Sequence, residues 1–277
     1  MQIDRRIAFI GSGNMASALI HGLLASGTSQ PERIIASDVR AEALAALSGA
    51  HGIGTTQDNA VACRADVLVL STKPQVLPAL LTEIAPHVTP ETLVISIAAG
   101  VPLAVIESQL AGRRVVRAMP NTPALVAAGA TAIAPGALAG KADLALARSL
   151  FESVGVVVET PEVLLDAVTA LSGSGPAYVF YLAEALIEAG EAAGLPTEVA
   201  SKLALQTVYG AAKLLHEQGE APAELRRKVT SPGGTTQAGV TKLDELNVKA
   251  AFKACVIAAR DRGRELGQEA LAKLRKS

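Results

Sequence analysis

The sequence predicts an α/β protein in two parts: a doubly wound sheet, parallel at its centre, over residues 1–161, and an all-α part over residues 162–277. Three observations carry this. The short apolar run Arg6–Ile10 leads straight into Gly11-Ser-Gly-Asn-Met-Ala16, and Leu19, Ile20, Leu23 and Leu24 follow at helical spacing. Strand-like and helix-like stretches then alternate to about residue 160. Beyond Pro161 only helical patterns remain.

The first unit has the form of a dinucleotide signature, GxGxxA between a strand and a helix. Gly11 permits the tight turn, Gly13 lets a pyrophosphate approach the backbone, and Ala16 lets the helix lie close on the sheet. Ser12, Asn14 and Met15 complete the candidate cofactor turn. The N-terminal part is therefore expected to be a Rossmann-type NAD(P)-binding domain. A second strand ends in Ile34-Ile-Ala-Ser-Asp-Val-Arg40, where the cofactor ribose belongs. Asp38 suits the 2′-hydroxyl of NADH, whereas Ser37 and Arg40 suit the 2′-phosphate of NADPH. The reading is NADPH, with NADH use left open; Asp38 as N-cap of a helix over Ala41–Leu47 is the structural alternative.

Further strands are expected near Gly52–Thr55 and at Asp66–Leu70, Thr92–Ser96, Arg114–Ala118, Ala130–Ala134 and Val154–Val158. The last three are closely spaced, which suits an antiparallel extension at one edge. Ligands of such sheets lie over the carboxyl ends of the strands. That places Ser71, Thr72, Lys73, Pro74, Ala98, Gly100, Met119 and Asn121 in the candidate cofactor site. Asn59, at the start or cap of the helix before the fourth strand, is expected near the adenosine half. Lys73 faces either a phosphate or ribose, or solvent. Two prolines stiffen the Met119–Pro123 loop, as suits a wall for the nicotinamide or a purely structural turn.

In the helical part, Leu171-Ser-Gly-Ser-Gly-Pro-Ala177 reads as a helix start, capped by Ser174 or Gly175 with Pro176 in the first turn. Tyr178, Leu182, Ala185 and Ala189 form one face of that helix. Helices are also expected from Thr197 towards Leu215, over Ala223–Lys228, and from about Asp244 to Leu274. Their wide apolar faces suit a homodimer, the alternative being a compact monomeric bundle. Val229-Thr-Ser-Pro-Gly-Gly-Thr-Thr-Gln-Ala-Gly239 has no ionisable side chain. Two glycines and a following helix N-terminus make it either an anion-binding turn or an ordinary capped turn.

Composition narrows the classes. The formal net charge is −1 over 277 residues, with no basic patch of the kind that binds nucleic acid. The basic Lys273–Lys276 tail is short and reads as a solvated helix end. No apolar run reaches the roughly 20 residues of a membrane span; Leu93–Ile106 is the longest candidate and is broken by Gly100 and Pro102. The chain enters its first strand without a leader-like segment. Cys63 and Cys255 lack partner spacing and read as reduced thiols, as expected of a cytoplasmic protein. His21, His51, His87 and His216 share no metal-ligand spacing, and no metal is expected.

Gly11–Met15, Lys73-Pro74, Arg117-Ala-Met-Pro-Asn-Thr-Pro123, Leu171–Tyr178 and Val229–Thr236 occur in order over nearly the whole chain. Together they resemble the motifs of pyrroline-5-carboxylate reductase, the last being the most specific. The resemblance implies reduction of the cyclic imine 1-pyrroline-5-carboxylate to L-proline by NAD(P)H. It implies an intertwined homodimer, often assembled into rings. It further implies that the backbone of Ser231, Gly233, Gly234 and Thr235 binds the substrate carboxylate, and that Thr236 places its hydroxyl on the ring nitrogen. The rival reading is a 3-hydroxyacid dehydrogenase or related imine reductase; these also join a Rossmann domain to helices and resemble one another in using a lysine on an early helix of the second domain. Thr169–Glu191 contains no Lys or Arg, which disfavours alcohol oxidation.

Overall fold

The computed structural model describes residues 2–274, in two compact units: residues 2–174 with 257–274, and residues 175–256. The side chains of the basic tail lie outside the described residues.

The first unit is built on an eight-stranded sheet. Its strands are β1 (Ile7–Ile10), β2 (Ile34–Ser37), β3 (Gly54–Thr56), β4 (Val67–Leu70), β5 (Leu93–Ser96), β6 (Arg114–Met119), β7 (Gly129–Pro135) and β8 (Gly155–Glu159). They lie in the order β3-β2-β1-β4-β5-β6-β7-β8. β1 to β6 run parallel; β7 is antiparallel to β6 and β8 parallel to β7, which gives the edge extension that the strand spacing suggests. Between them run α1 (Asn14–Ala25), α2 (Ala41–His51), α3 (Asn59–Ala62), α4 (Leu77–Ile84), α5 (Leu103–Gln109) and α6 (Lys141–Glu152). β1, β4 and β5 are buried at every residue. β1 and β4 are unbroken apolar runs and β5 is one up to Ser96, rather than alternating ones, because helices cover both faces. Ile7, Phe9, Val69 and Ile95 pack with Leu19, Leu23, Leu150 and Phe151 on one side. Ala8, Ile10, Leu68, Leu70 and Val94 pack with Leu77, Leu81, Ile84 and Ile106 on the other.

One helix has an unexpected lead-in, and one helix boundary differs from the sequence expectation. Helical residues begin at Glu162 and run to Ala192, through α7 (Leu165–Val168), a π turn at Thr169–Gly173 and α8 (Gly175–Ala192). α8 starts at Gly175 with Pro176 in its first turn, as the Ser/Gly string suggests; ahead of it Ser174 donates its N–H to Thr169 O at 2.8 Å, a wide turn that joins α8 to the helical stretch from Glu162. The last helix is not continuous from Asp244. α11 (Thr235–Glu245) stops, Asn247 takes φ 55°, and α12 (Val248–Leu274) starts afresh. Asn is among the few residues that adopt that left-handed conformation readily.

In the second unit α8 packs on α9 (Thr197–Gln218) through a seam of small residues, Ala183, Ala200 and Ala204. A Cβ on Gly190 would stand 2.9 Å from Ala200 Cβ. The expected Tyr178/Leu182/Ala185/Ala189 face is not the buried one: Ala183 is the buried residue of α8, while Phe180 and Tyr181 are 63% and 73% exposed. α10 (Pro222–Lys228) precedes α11. Glu162–Ala192, not Leu93–Ile106, is the one helix among the described residues long and apolar enough to cross a membrane, by length and composition. The sequence scan missed it because Glu162, Asp166, Glu184, Glu188 and Glu191 interrupt the run.

Gly190→Val forces the α8–α9 seam apart. It should destabilise the fold by about 1–3 kcal/mol, measured as a lower midpoint of urea unfolding.

Candidate active site

β1 lies between β2 and β4, so the connections on its two sides run in opposite directions and leave a crevice over the carboxyl ends of β1 and β4. Gly11 sits there with φ +99°, and a Cβ on it would lie 2.7 Å from Ser71 O and 3.0 Å from Thr72 N. Only glycine tolerates both the conformation and the contact. Ser71 Oγ donates to Ile10 O (3.0 Å) and Gly11 O (2.7 Å), which ties the two strand ends together. Thr72 Oγ1 is buried there without a protein partner. Gly13 is exposed, and the space a Cβ would fill is open. The α1 ladder begins with Ser17 N–H on Gly13 O, which leaves the amides of Asn14, Met15 and Ala16 ahead of it. An open approach, free helical amides and an orphaned hydroxyl fit a pyrophosphate and its sugars.

At the end of β2, where the ribose is expected, Asp38 is the organising group. Its Oδ2 accepts Ser12 N (2.8 Å) and Ser12 Oγ (2.6 Å), and its Oδ1 accepts Arg40 N (2.9 Å) and Arg40 Nε (3.2 Å). Burial alone would raise its pKa, but the hydrogen bonds from Arg40 and Ser12 outweigh it and hold the carboxyl well below the usual range. Arg40, not Asp38, stands at the N-cap position of α2. Ser37 is fully buried and donates to Asn59 Oδ1 at 2.7 Å, while Asn59 Nδ2 donates to Glu83 Oε1 at 3.0 Å. Asn59 is the first residue of α3, whose cap is Asp58. Of the two residues considered for a 2′-phosphate, Arg40 is thus the exposed one.

On the other side of the crevice, Ala98 is buried, Gly100 (φ +72°) touches Leu266 of α12, Lys73 is exposed and Pro74 half-buried. A cleft of about 660 Å³ opens beside Pro74 and Gly100. Met119 lies against Gly173, where a Cβ would come within 2.6 Å of its methyl group. Asn121 Nδ2 donates to Ser172 O (3.0 Å), and its Oδ1 accepts Ala130 N–H (2.8 Å). The helix cannot satisfy the Ser172 carbonyl through residue 176, which is proline. Asn121 takes over that bond, and its side chain is thereby committed.

The Ser231–Gly234 turn, in the second unit, has Pro232 at its second position, Gly233 with φ +72° at its third, and Gly234 N–H on Ser231 O at 3.1 Å. That is the geometry of a type II turn. Gly233 N–H is held by Gln237 Oε1 at 2.6 Å. The α11 ladder begins with Ala238 N–H on Gly234 O, which leaves the amides of Thr235, Thr236 and Gln237 pointing ahead of it, beside the exposed Thr235 and Thr236 side chains. No side chain caps α11. Such an arrangement can hold a carboxylate by backbone amides and helix dipole.

A family profile described as pyrroline-5-carboxylate reductase dimerisation matches residues 162–266, and one described as NADP oxidoreductase, coenzyme F420-dependent, matches residues 6–100. A pyrroline-5-carboxylate reductase of Methanosarcina acetivorans is 47% identical over 96% of this chain and 99% of that protein. The chain belongs to the pyrroline-5-carboxylate reductase family. A solved reductase of this family from Coxiella burnetii superposes with TM-score 0.90 at 40% identity, covering 95% of this chain and 99% of that one. The pyrroline carboxylate reductase of Plasmodium falciparum, solved with NADP bound, superposes with TM-score 0.85 at 28% identity, covering 96% and 100%.

In this reductase fold His21 and His51 face each other at 5.7 Å between ring centres, at α1 and α2, and His51 lines a pocket shared with Ser12, Gly13 and Asn14. Burial, then the His21 charge, lowers the His51 pKa. Cys63 is buried, its thiol pushed up to about 11 by burial and then by Glu83 and Asp58. Among the described residues no group of three His, Cys, Asp or Glu converges. Sequence reading placed Thr72 in the cofactor site but missed Gln237, and it left Arg117 without a partner; the acidic residue it needed, Glu162, lies 45 positions away.

Arg40→Ala should weaken NADPH binding by roughly 10-fold while changing NADH little, the scale of one charge-assisted contact. Asp38→Asn should tighten NADPH relative to NADH. Fluorescence titration of each cofactor checks both.

Proposed function

We propose that this protein reduces the C=N bond of 1-pyrroline-5-carboxylate to give L-proline, the final step of proline biosynthesis. NADPH serves as cofactor, with NADH also accepted. The observation that carries the substrate assignment is the Ser231–Thr236 turn, an anion cradle made of backbone amides without a charged side chain. A reduced nicotinamide, when bound, supplies the hydride. The residues for it are Gly11–Met15 for the pyrophosphate, Asp38 and Arg40 for the ribose end, and the strand-end positions Ser71–Pro74, Ala98, Gly100 and Met119 for the nicotinamide half. Ser37, Asn59 and Asn121 support these positions through the hydrogen bonds described above.

The substrate carboxylate rests on the free backbone amides at the start of α11, Thr235 first among them, because the Gly233 and Gly234 N–H groups expected to bind it are held by Gln237 and Ser231; the iminium N–H donates to Thr236 Oγ1. The substrate arrives with its own proton on nitrogen, so hydride addition at carbon needs no strong side-chain base. The resulting amine then takes one proton from solvent. What the chain contributes is placement, worth several powers of ten in rate.

Residues 1–161 act as the nucleotide domain and residues 162–277 as the dimerisation and substrate domain. The working form is a homodimer, with rings of dimers as the larger assembly. The exposed apolar residues of α8 and α9, among them Phe180, Tyr181, Leu203 and Tyr209, support association of two copies. A cytoplasmic location accords with the two unpaired cysteines. The small-molecule reaction requires neither nucleic acid nor membrane, and Glu162–Ala192 is read as an interface helix.

Oxidation of NADPH, followed by its absorbance with 1-pyrroline-5-carboxylate as sole acceptor and proline as product, tests the reaction; absence of turnover would reject it. Thr236→Ala should lower kcat on the order of 100-fold with NADPH affinity unchanged, whereas equal losses of both would remove Thr236 from the chemistry. Light scattering after size exclusion should give a mass of at least two chains, and a monomer at micromolar concentration would sink the dimer.

A further inference from the structure

β6 carries a charge that the reaction above leaves without a task. Arg117 is 5% exposed, and its Nη1 donates to Glu162 Oε1 at 3.0 Å. The same oxygen accepts the backbone N–H of Leu103 at 2.6 Å. Leu103 opens α5, three residues after Gly100, and α5 has no side-chain cap of its own because Pro102 stands at that position. Arg117 pairs in register with Ser96, the end of β5. It lies two residues before Met119, on the same face of the strand. One carboxylate oxygen therefore joins the exit of the Ala98–Gly100 loop to the side chain beneath Met119.

We propose that Arg117 and Glu162 are positioning residues for hydride transfer, fixing the separation of the two strand-end loops that wall the nicotinamide. This rests on the reaction proposed above. An apolar pair would fill the space between sheet and turn without desolvating two charges. A guanidinium and a carboxylate impose instead a defined distance and direction. Glu162 also begins the helical path that leads to Gly173, the residue Met119 packs against. Both ends of the Met119 environment are thus referred to the same ion pair.

The test compares Glu162→Gln, Arg117→Lys and the double variant Arg117→Met/Glu162→Leu in the full-length enzyme. Glutamine keeps an acceptor for Leu103 N–H but removes the charge facing Arg117. Expected are a fall in kcat of roughly 10-fold, a KM for the imine and a NADPH affinity within about twofold of wild type, and a larger deuterium isotope effect from labelled NADPH. Arg117→Lys, which keeps a cation opposite Glu162, should lose much less kcat than Glu162→Gln. The double variant should fold, by circular dichroism and mass, yet keep the low kcat, and it decides the matter if Glu162→Gln does not fold. A folded double variant with wild-type kcat and isotope effect overturns the proposal, as does a loss of kcat matched by an equal loss of NADPH affinity. Should wild type not reduce this imine, the reaction reading falls by itself. Fluorescence anisotropy of bound NADPH, expected lower in Glu162→Gln and in the double variant, still decides the positioning role, and unchanged anisotropy overturns it.

Discussion

The contact on which the candidate cofactor site depends is the approach of the β1 and β4 ends at Gly11. With a Cβ there 2.7 Å from Ser71 O, any other residue would push the two strands apart where the sheet reverses its winding. The Ser71 hydroxyl closes the same gap from the other side by bonding Ile10 O and Gly11 O. Because the gap is closed, α1 starts directly over the crevice with its first amides unused. Ser12 is also held where Asp38 can take both its N–H and its hydroxyl. The candidate ribose end is therefore held by the same turn as the candidate pyrophosphate site, and a disturbance at Gly11 would reach both.

Charge is sparing in both candidate binding places, and that suits the chemistry. Asp38 is fixed as an anion but shares its charge with Arg40, whose guanidinium is largely exposed. A 2′-hydroxyl and a 2′-phosphate then compete for the two members of one pair: the carboxylate favours the first and the guanidinium the second. The Ser231–Thr236 turn has no ion of its own. A formal cation there would bind the carboxylate more strongly, but it would also repel an iminium a few bonds away. Backbone amides give directional attraction without that penalty.

Much of this was legible because it is local. The GxGxxA turn with its flanking strand and helix, and the Pro/Gly order of residues 231–234, each prescribe a conformation through neighbouring residues alone. The rest depended on partners distant in sequence. Ser37 suits a phosphate by position, but its hydroxyl is consumed by Asn59, 22 residues away. Asn121 read as a cofactor ligand, yet it compensates for the N–H that Pro176 lacks. The helix break at Asn247 was missed because a single left-handed residue leaves the flanking apolar spacing almost undisturbed. Arg117 stood inside a recognised motif while Glu162 lay outside every motif. No periodicity links the two, since only the antiparallel return of β7 and β8 brings residue 162 back over β6.

The second unit also explains why association belongs with folding. Its buried apolar residues, among those described, are Ala183, Ala200, Ala204 and Leu225. Three alanines and one leucine remove too little apolar surface from water to offset the ordering of some eighty residues. The small seam nonetheless has a purpose, because it lets α8 and α9 lie close and leaves their large side chains pointing outward. Those side chains are a core with one half missing. In the proposed homodimer a second copy would supply the other half, and the substrate turn proposed at Ser231–Thr236 would take its stable shape only as the two chains meet. On that proposal carboxylate binding is a property of the pair rather than of one chain, and the strength of substrate binding should follow protein concentration below the dissociation constant of the dimer.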